Sequence, residues 1–462
     1  MKGFNMECFT ILADEIEGRL DSHFYGPKFT RLDKKIKGIS RKKLADYILS
    51  ISGGATPSID ESEKYYTNSM DGIPFLRVHN ITPEGLNLND IKFINKETHN
   101  EMLKRSQVSE YDLLVKITGV GRMAVSSVAP IGFVGNINQH LVVIKTENEN
   151  ISKVLATFLN SDIGEQLATK RSTGGTRPAL DYEALKSIPI VFEPKIVNIY
   201  EKAIIRKKKI EFEAKQLLDS ISDYVLDELG IKPPKLKDKI VYVINSKEAE
   251  NKRADAHYYQ PKFEKFEKAI KHGNYDTVKI IDVIDKYAND TIRIKNDEKY
   301  IYVEIGDVNK LVGTIFLKDE EFGENLPKGS KKKLVEDDVI ISTVRPYLKG
   351  IAKVKSREKN LISTGAFCVL RCTKKINPDY LFGLVRSDLF IEVVCRTMAG
   401  TTYPTVSDED ILNLEIPLPN IVVQNKIAEE VKRRVQKAEQ LQKEAKGELE
   451  KVKKEVEKII LK

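Results

Sequence analysis

The longest regular pattern in the chain is a seven-residue repeat of apolar positions near its C-terminal end, with Lys and Glu filling the positions between. Two apolar positions in every seven are typical of a helix that packs along a seam against a second helix. The pattern predicts one helix over Ile421–Ile460, whose seam comprises Val431, Ala438, Ala445, Val452 and Ile459 together with Ala428, Val435, Gln442, Leu449 and Val456. Gln442 either sets the register of the seam or turns to solvent.

A less regular stretch of the same kind lies in the middle of the chain. Its apolar residues at intervals of seven are Ile196, Ala203, Ile210, Leu217 and Tyr224. The helix is predicted to end near Leu229, because Gly230 and a Pro pair at 233–234 follow. A single helix cannot leave such a seam in water. The two stretches therefore either pair with each other, antiparallel, or each pairs with another chain.

Ahead of each long helix come short β-type runs punctuated by Gly, Asn and Pro, followed by one helical stretch. In the first half the strands are predicted at 73–78, 112–117 and 141–144, and the helical stretch at 154–167. In the second half they are predicted at 300–305, 339–343 and 367–370, and the helical stretch at 380–394.

The two halves also share short strings in the same order. The segment Arg19-Leu-Asp-Ser-His-Phe-Tyr-Gly-Pro-Lys-Phe29 recurs in the second half as Arg253-Ala-Asp-Ala-His-Tyr-Tyr-Gln-Pro-Lys-Phe263. At one common offset, slightly shorter than that of the segment, Asp112, Ser161, Gly174, Pro178 and Ile190 recur as Asp338, Ser387, Gly400, Pro404 and Ile416. Such order indicates an internal duplication, which favours pairing of the two helices within the chain.

The predicted fold class is α+β, with two similar α/β globular domains separated by two long antiparallel helices that form an intramolecular coiled coil, in a pseudo-twofold repeat. The domain boundaries that we expect are 1–193 for the first globular domain with an N-terminal extension, 194–232 for the first long helix, 233–417 for a linker and the second globular domain, and 418–462 for the second long helix.

Composition narrows the class of protein without naming a partner. The 462 residues carry a net charge of +8, which invites a polyanion, but the two globular segments carry no positive excess of their own. Four cysteines without a CxxC pair are typical of a reduced, cytoplasmic protein. We identify neither a signal peptide nor an apolar run long enough to cross a bilayer.

Several strings resemble the specificity subunits of type I restriction–modification enzymes, over nearly the full length. The resemblance rests on Gly72-Ile-Pro-Phe-Leu-Arg-Val-His-Asn-Ile81, Asp112-Leu-Leu-Val-Lys-Ile-Thr-Gly119, Asn136-Ile-Asn-Gln-His-Leu141, Ser172-Thr-Gly-Gly-Thr-Arg-Pro-Ala-Leu-Asp-Tyr182, Ser342-Thr-Val-Arg-Pro346, Gly400-Thr-Thr-Tyr-Pro404 and Ile416-Pro-Leu-Pro419. The second half departs from the family in lacking the Asn-Gln-His run; Thr364-Gly-Ala366 stands there.

The resemblance implies a subunit that reads DNA and catalyses nothing itself. Each globular domain would recognise one half of a split site in double-stranded DNA, and the helices would fix the spacing and dock two adenine methyltransferase subunits, with or without restriction and translocase subunits. Two half-sites make physical sense, because one domain contacts too few base pairs to discriminate against a genome. The alternative is a coiled-coil scaffold that binds proteins and has no DNA specificity.

Candidate DNA contacts lie at predicted strand ends and in Gly-rich loops, where Arg can bind guanine, Asn can bind adenine, and Lys or Thr can hold phosphate. They are Arg77, His79, Asn80, Lys116, Arg122, Arg171, Thr173, Thr176 and Arg177 in the first half, and Arg345, Lys349, Arg396, Thr401, Thr402 and Tyr403 in the second. A solvated surface charge or a turn residue is the competing interpretation of each.

Catalytic, cofactor and metal sites are not predicted. Gly119-x-Gly121-x-x-Ala124 resembles a dinucleotide fingerprint, but a β-branched run ending in Pro130 follows it instead of a helix. Asn377-Pro-Asp-Tyr380 differs at its third position from the Asn-Pro-Pro-Tyr motif of adenine methyltransferases. The six histidines lack the spacing of zinc ligands.

Overall fold

A computed structural model describes residues 9–13, 16–58, 60–235, 241–243, 253 and 255–462. The chain divides into two compact units, residues 1–208 with 445–462 and residues 209–444. Each unit therefore combines a globular segment with part of both predicted long helices. Among the described residues, no helix has both the length and the apolar character that a bilayer span requires.

The described residues of the first unit form eleven short strands and six α-helices before the first long helix. The strands are β1 Ser50–Gly53, β2 Tyr66–Thr67, β3 Ile73–Leu76, β4 Ile81–Thr82, β5 Gly85–Leu86, β6 Lys92–Ile94, β7 Gln107–Val108, β8 Leu113–Lys116, β9 Ser126–Val128, β10 Gly135–Ile137 and β11 Leu141–Lys145. The helices are α1 Pro27–Ile39, α2 Ser62–Tyr65, α3 Lys96–Asn100, α4 Glu149–Asn160, α5 Asp162–Arg171 and α6 Tyr182–Lys186, and the first long helix is α7 Lys195–Glu228.

The second unit repeats most of this succession. Its helices are α8 Pro261–Lys271, α9 Pro378–Val385, α10 Asp388–Cys395 and α11 Asp408–Leu412, and the second long helix is α12 Ile421–Ile460. Its strands are β12 Thr277–Lys279, β13 Lys299–Val303, β14 Val308–Asn309, β15 Thr314–Ile315, β16 Glu321–Phe322, β17 Lys331–Lys333, β18 Val339–Ser342, β19 Ile351–Lys353, β20 Leu361–Thr364, β21 Phe367–Leu370 and β22 Glu415–Pro417.

Sheet topology confirms the duplication. One sheet has the order β1-β11-β8-β9 in the first unit and β19-β18-β21 in the second, with the equivalent strands antiparallel in both. A second sheet places the parallel pair β3 and β10 beside β6 and β7, and the parallel pair β13 and β20 beside β16 and β17. Where β1 pairs with β11 in the first unit, the second has an isolated bridge between Ile284 and Cys372.

A buried carboxylate precedes the central strand of each unit. The carboxylate of Asp112 accepts a hydrogen bond from the backbone N–H of Ser109 at 2.8 Å and pairs with Lys145. Asp338 accepts from Val335 at 2.8 Å and pairs with Arg371 at 2.9 Å. The repeated Asp that the sequence singled out therefore closes the turn into β8 and into β18.

The single helical stretch predicted in each half is wrong in one respect: it is two helices. Ser161 separates α4 from α5, and its hydroxyl oxygen accepts a hydrogen bond from the N–H of Gly164 at 3.0 Å. Ser387 separates α9 from α10 and accepts from Phe390 in the same way. A Ser cap favours a new helix start over continuation of the old one.

Both long helices pack within each unit, in the antiparallel sense. In the first unit Ile196 and Tyr200, at the start of α7, share a core with Val456 and Ile460, at the end of α12. In the second unit the end of α7 meets the start of α12: the Arg434 guanidinium donates to the Ser220 carbonyl at 2.7 Å and lies 4.6 Å from the Tyr224 ring centroid. These contacts confirm pairing within the chain.

The strict seven-residue register does not persist along α12. Leu441 is 4% exposed whereas Gln442, predicted on the seam, is only half-buried. Val452 and Ile459 are likewise half-buried, while Val456 and Ile460 are buried. A straight α-helix has 3.6 residues per turn and drifts away from a 3.5-residue pattern, so the buried stripe moves to neighbouring positions.

Gly383 tests the close packing of the long helices in the second unit. A Cβ at this position of α9 would stand 2.8 Å from Cγ2 of Val431 and 3.4 Å from Cγ2 of Val225. We expect Gly383→Ala to lower the free energy of unfolding by about 1 kcal/mol or more, as overpacking does, in urea titrations followed by circular dichroism. Gly447→Ala, in α12 with nothing within 4 Å of the added Cβ, should instead stabilise the chain by about 1 kcal/mol. A neutral Gly383→Ala would contradict this packing.

Candidate nucleic-acid interface

Each unit presents an exposed loop shortly after the second of its two consecutive helices, α5 in the first unit and α10 in the second. In the first unit Thr173 and Ala179 exchange two backbone hydrogen bonds of 2.8 Å, which closes residues 173–179 into a hairpin that we call the first tip loop. In the second unit Ala399 and Thr405 do the same at 2.9 and 2.8 Å, closing the second tip loop, 399–405. Gly174 and Gly400 have φ of 92° and 99°, which an L residue rarely adopts.

The turn that follows the central strand supports each tip loop. The N–H of Gly119, after β8, donates to the Pro178 carbonyl at 3.2 Å, and the N–H of Arg345, after β18, donates to the Pro404 carbonyl at 2.8 Å. Gly119 has φ of 123° and Arg345 a left-handed φ of 48°. A left-handed Arg is strained relative to Gly. The second unit accepts this strain and has a long cationic side chain at a position where the first unit has no side chain.

The second unit brings four of the predicted residues together: the half-buried Arg345 and the exposed Thr401, Thr402 and Tyr403. The Arg345 guanidinium donates from Nη2 to the Thr402 carbonyl at 2.8 Å and lies 4.6 Å from the centroid of the Tyr403 ring. Tyr403 is 66% exposed, and Thr401 is exposed beside it. Lys349, also predicted, has a left-handed backbone and its ammonium is paired with Asp388.

In the first unit the tip loop exposes Thr173, Thr176 and Arg177. Arg177 occupies the position that Tyr403 has in the second loop, while Gly119 replaces Arg345. The cation therefore comes from the tip loop in the first unit and from the strand turn in the second. The two loops share one backbone and offer different chemistry.

Most of the other predicted DNA-contacting side chains bind carbonyl or carboxylate groups of the protein itself. The Lys116 ammonium is buried and donates to the carbonyls of Val120 and Arg122 at 2.8 and 3.1 Å, and this burial lowers its pKa. The Arg122 guanidinium binds Asp162 at 3.1 Å and the carbonyls at the end of α4. These two residues fix the turn between β8 and β9.

Arg171 and Arg396 are also internal. Arg171 is 3% exposed, and its guanidinium pairs with Asp33 at 2.6 Å. The guanidinium of Arg396 pairs with Glu267 at 2.6 Å. Both side chains therefore serve the packing of their own unit.

The predicted residues at 77–80 differ in their exposure. The Arg77 guanidinium donates to the Asp90 carbonyl at 2.5 Å, and the Asn80 side chain is fully buried, with its amide nitrogen donating to the Asn87 carbonyl at 2.8 Å. Of the three predicted residues only His79 has an exposed side chain, 47% by area. Asn80 is thus a structural residue of the turn.

Two exposed apolar side chains beside the tip loops are absent from the predicted contacts. Val120, between Gly119 and Gly121, is 75% exposed, and Tyr347, in the turn between the left-handed Arg345 and Lys349, is 47% exposed. The pair of glycines around Val120 was a signal available in the sequence, whereas the left-handed backbone around Tyr347 is visible only in the structure.

Comparison with known proteins supports the resemblance found in the sequence. Residues 272–451 match the family model described as "Type I restriction modification DNA specificity domain". The type I restriction enzyme MjaVIII specificity subunit of Methanocaldococcus jannaschii is 23% identical over 444 residues, 91% of each chain. These matches confirm the resemblance predicted from the sequence: residues 272–451 match the specificity domain of type I restriction–modification systems, and the chain is similar over most of its length to one of their specificity subunits.

Solved structures of the same class also resemble the chain. The HsdS subunit from Thermoanaerobacter tengcongensis is 33% identical over 34% of this chain and 41% of that one, with a TM-score of 0.31. The type I S subunit from M. genitalium is 10% identical over 91% of this chain and 95% of that one, with a TM-score of 0.39.

The glycines of the first tip loop provide a matched test of its geometry. Gly174→Ala would force a Cβ into a positive-φ position and within 3.0 Å of the Arg177 carbonyl, whereas Gly175→Ala meets nothing within 4 Å. We expect Gly174→Ala to raise amide hydrogen exchange several-fold across residues 172–180, because a left-handed L residue costs about 1–2 kcal/mol, and Gly175→Ala to leave it unchanged. Equal exchange in the two variants would contradict the hairpin.

Proposed function

We propose that the chain recognises a bipartite site in double-stranded DNA, with the first tip loop contacting one half and the second tip loop contacting the other. The observation that carries this proposal is the repeated support of an exposed loop on a strand-end turn, with different side chains at equivalent positions. A shared frame with divergent tips is suited to two different base sequences.

The side chains at the tips fit this role. Arg177 can donate two hydrogen bonds to guanine or hold a phosphate, and the Thr hydroxyls can bind phosphate. The Arg345–Tyr403 pair offers a cation and an apolar ring, which suit a phosphate and a thymine methyl group. The two loops would therefore prefer different half-sites.

The chemistry of the complex belongs to its partners in this proposal. The chain acts as a non-catalytic recognition subunit in the cytoplasm, and two DNA adenine methyltransferase subunits dock on it, with restriction and translocase subunits joining in a system that also cleaves. The basic residues that exceed the acidic ones in the chain as a whole, 76 against 68, would add a salt-dependent attraction to DNA.

Single substitutions in the two tip loops should separate the half-sites. With the chain co-expressed with its methyltransferase, genome-wide mapping of methylated adenine defines the wild-type motif. Arg177→Ala should relax the motif in one half, Tyr403→Ala in the other, each with a loss of about tenfold in discrimination, the worth of one good base contact. Neither change should alter the opposite half.

Arg31→Ala and Lys265→Ala serve as controls, since both residues are exposed and stand at equivalent places in α1 and α8. Both controls should retain the full motif. Methylation that shows no split motif in the wild-type complex would overturn the proposal and favour a scaffold.

A further inference from the structure

A segment ahead of the strands of each unit repeats more faithfully than the tip loops, and reading DNA through the loops does not explain it. Residues 19–29 and 253–263 share Arg, Asp, His, an aromatic residue, Pro, Lys and Phe at the same spacing. We call them the first and second clamp; Ala254 lies outside the described residues. What they contact indicates what they do.

Each clamp Arg binds the backbone that leads into its tip loop. The Arg19 guanidinium donates to the carbonyls of Arg171 and Ser172 at 2.9 and 3.3 Å. The Arg253 guanidinium donates to the carbonyls of Thr397 and of Met398, the latter at 2.7 Å. In each unit these are the residues immediately before the hairpin.

A carboxylate in the clamp holds each guanidinium in place. Nε of Arg19 donates to Asp21 at 2.8 Å, and Nε of Arg253 donates to Asp255 at 2.7 Å. The hydrogen bond from Arg19 lowers the pKa of Asp21, so this acid is charged at neutral pH. The planar guanidinium thus bridges one carboxylate and two carbonyls, which the single ammonium of Lys cannot do with the same geometry.

The clamp His binds a carbonyl two residues before the first one that the clamp Arg binds. Nε2 of His23 lies 2.8 Å from the Thr169 carbonyl, and Nε2 of His257 lies 2.7 Å from the Cys395 carbonyl. Because a carbonyl only accepts, the ring N–H donates. The last carbonyls of a helix lack partners within it, and the clamp supplies donors to those at the ends of α5 and α10.

An aromatic ring between two cations completes each clamp. The Phe24 ring lies 4.8 Å from the Arg19 guanidinium and 3.9 Å from the Lys170 ammonium, and the Tyr258 ring lies 5.5 Å from Arg253 and 4.6 Å from Arg396. These distances suit cation–π attraction.

The second cation at each ring, Lys170 or Arg396, also has an acidic partner on the helix that begins within the clamp, α1 or α8. Lys170 lies 3.4 Å from Asp33, and Arg396 lies 2.6 Å from Glu267. Asp33 and Glu267 are related by the same offset in sequence as Arg19 and Arg253. Each of these interactions of the first clamp therefore recurs in the second.

The two clamps have the same interacting side chains, whereas the two tip loops have different exposed side chains. The first loop reads Thr-Gly-Gly-Thr-Arg-Pro and the second Ala-Gly-Thr-Thr-Tyr-Pro, yet the carbonyls ahead of both are held by the same Arg-Asp pair. We propose that each clamp is a positioning device for its own recognition loop: Arg19 fixes the first tip loop, Arg253 fixes the second, and each controls one half-site only. This inference rests on the proposed function.

Arg19→Lys and Arg253→Lys in the full chain, with the methyltransferase partners present, test the positioning role. Lys keeps the charge but loses the bridging geometry. Arg19→Lys should raise amide exchange several-fold over residues 172–180 and leave residues 398–406 unchanged, and Arg253→Lys should do the reverse. In the methylation map, each variant should lose about tenfold discrimination in its own half-site, the effect of one charged hydrogen bond.

Two further measurements separate positioning from direct contact. The slope of DNA affinity against salt should stay at the wild-type value in both clamp variants, because no phosphate contact is lost. The controls Arg31→Ala and Lys265→Ala should change neither loop exchange nor discrimination. A loss of protection in both loops, or in neither, would overturn the inference.

The exchange experiment needs no DNA, so the two proposals can fail separately. Local loosening of a loop with unchanged discrimination in its half-site would show that the clamp does not position a reading element, and would overturn the inference. Absence of a split motif in the wild-type complex would overturn the proposed function instead.

Discussion

The burial of the apolar stripes of α7 and α12 is the constraint on which each unit depends. The first unit completes its core with residues at the start of α7 and the end of α12, such as Tyr200 and Val456, and the second uses the end of α7 and the start of α12. Neither globular segment is completed by its own strands and short helices alone. Because both helices enter both cores, the fold of each unit is coupled to the pairing of the helices.

The two duplicated units share the residues that hold their backbone in place and differ in the residues exposed at the tip loops. The buried Asp112 and Asp338, the Ser caps and the hairpin hydrogen bonds occur in both units, since they satisfy backbone groups that any such loop leaves open. The exposed side chains at the tips are not needed to satisfy these backbone groups. Arg177 and Tyr403 can therefore differ without disturbing the frame, which is the property that changing specificity requires.

The sequence predicted the elements that depend on local pattern and missed those that depend on partners. Heptads, alternating strands and the Gly-Pro loops follow from periodicity and backbone preference. The predicted DNA contacts Lys116, Arg171 and Arg396 were chosen for their charge, but in the structure the Lys116 ammonium is buried against carbonyls and the two guanidinium groups are paired with carboxylates. A single sequence does not show a partner that is distant along the chain. The repeat of the clamp segment is visible in the sequence, but its role could be inferred only from the contacts in the structure.

The clamps and the tip loops repeat at different offsets in the sequence. The offset of the clamps is larger than that of the tip loops, so the connection from clamp to tip loop is longer in the first unit. Part of the extra length is α2 and β2, which lie between β1 and β3; residues 284–298 of the second unit, all of them described, contain neither an α-helix nor such a strand. The clamp nevertheless binds the equivalent carbonyls in both units. A contact that persists when the chain joining its two sides changes in length is specified by its own residues rather than by connectivity.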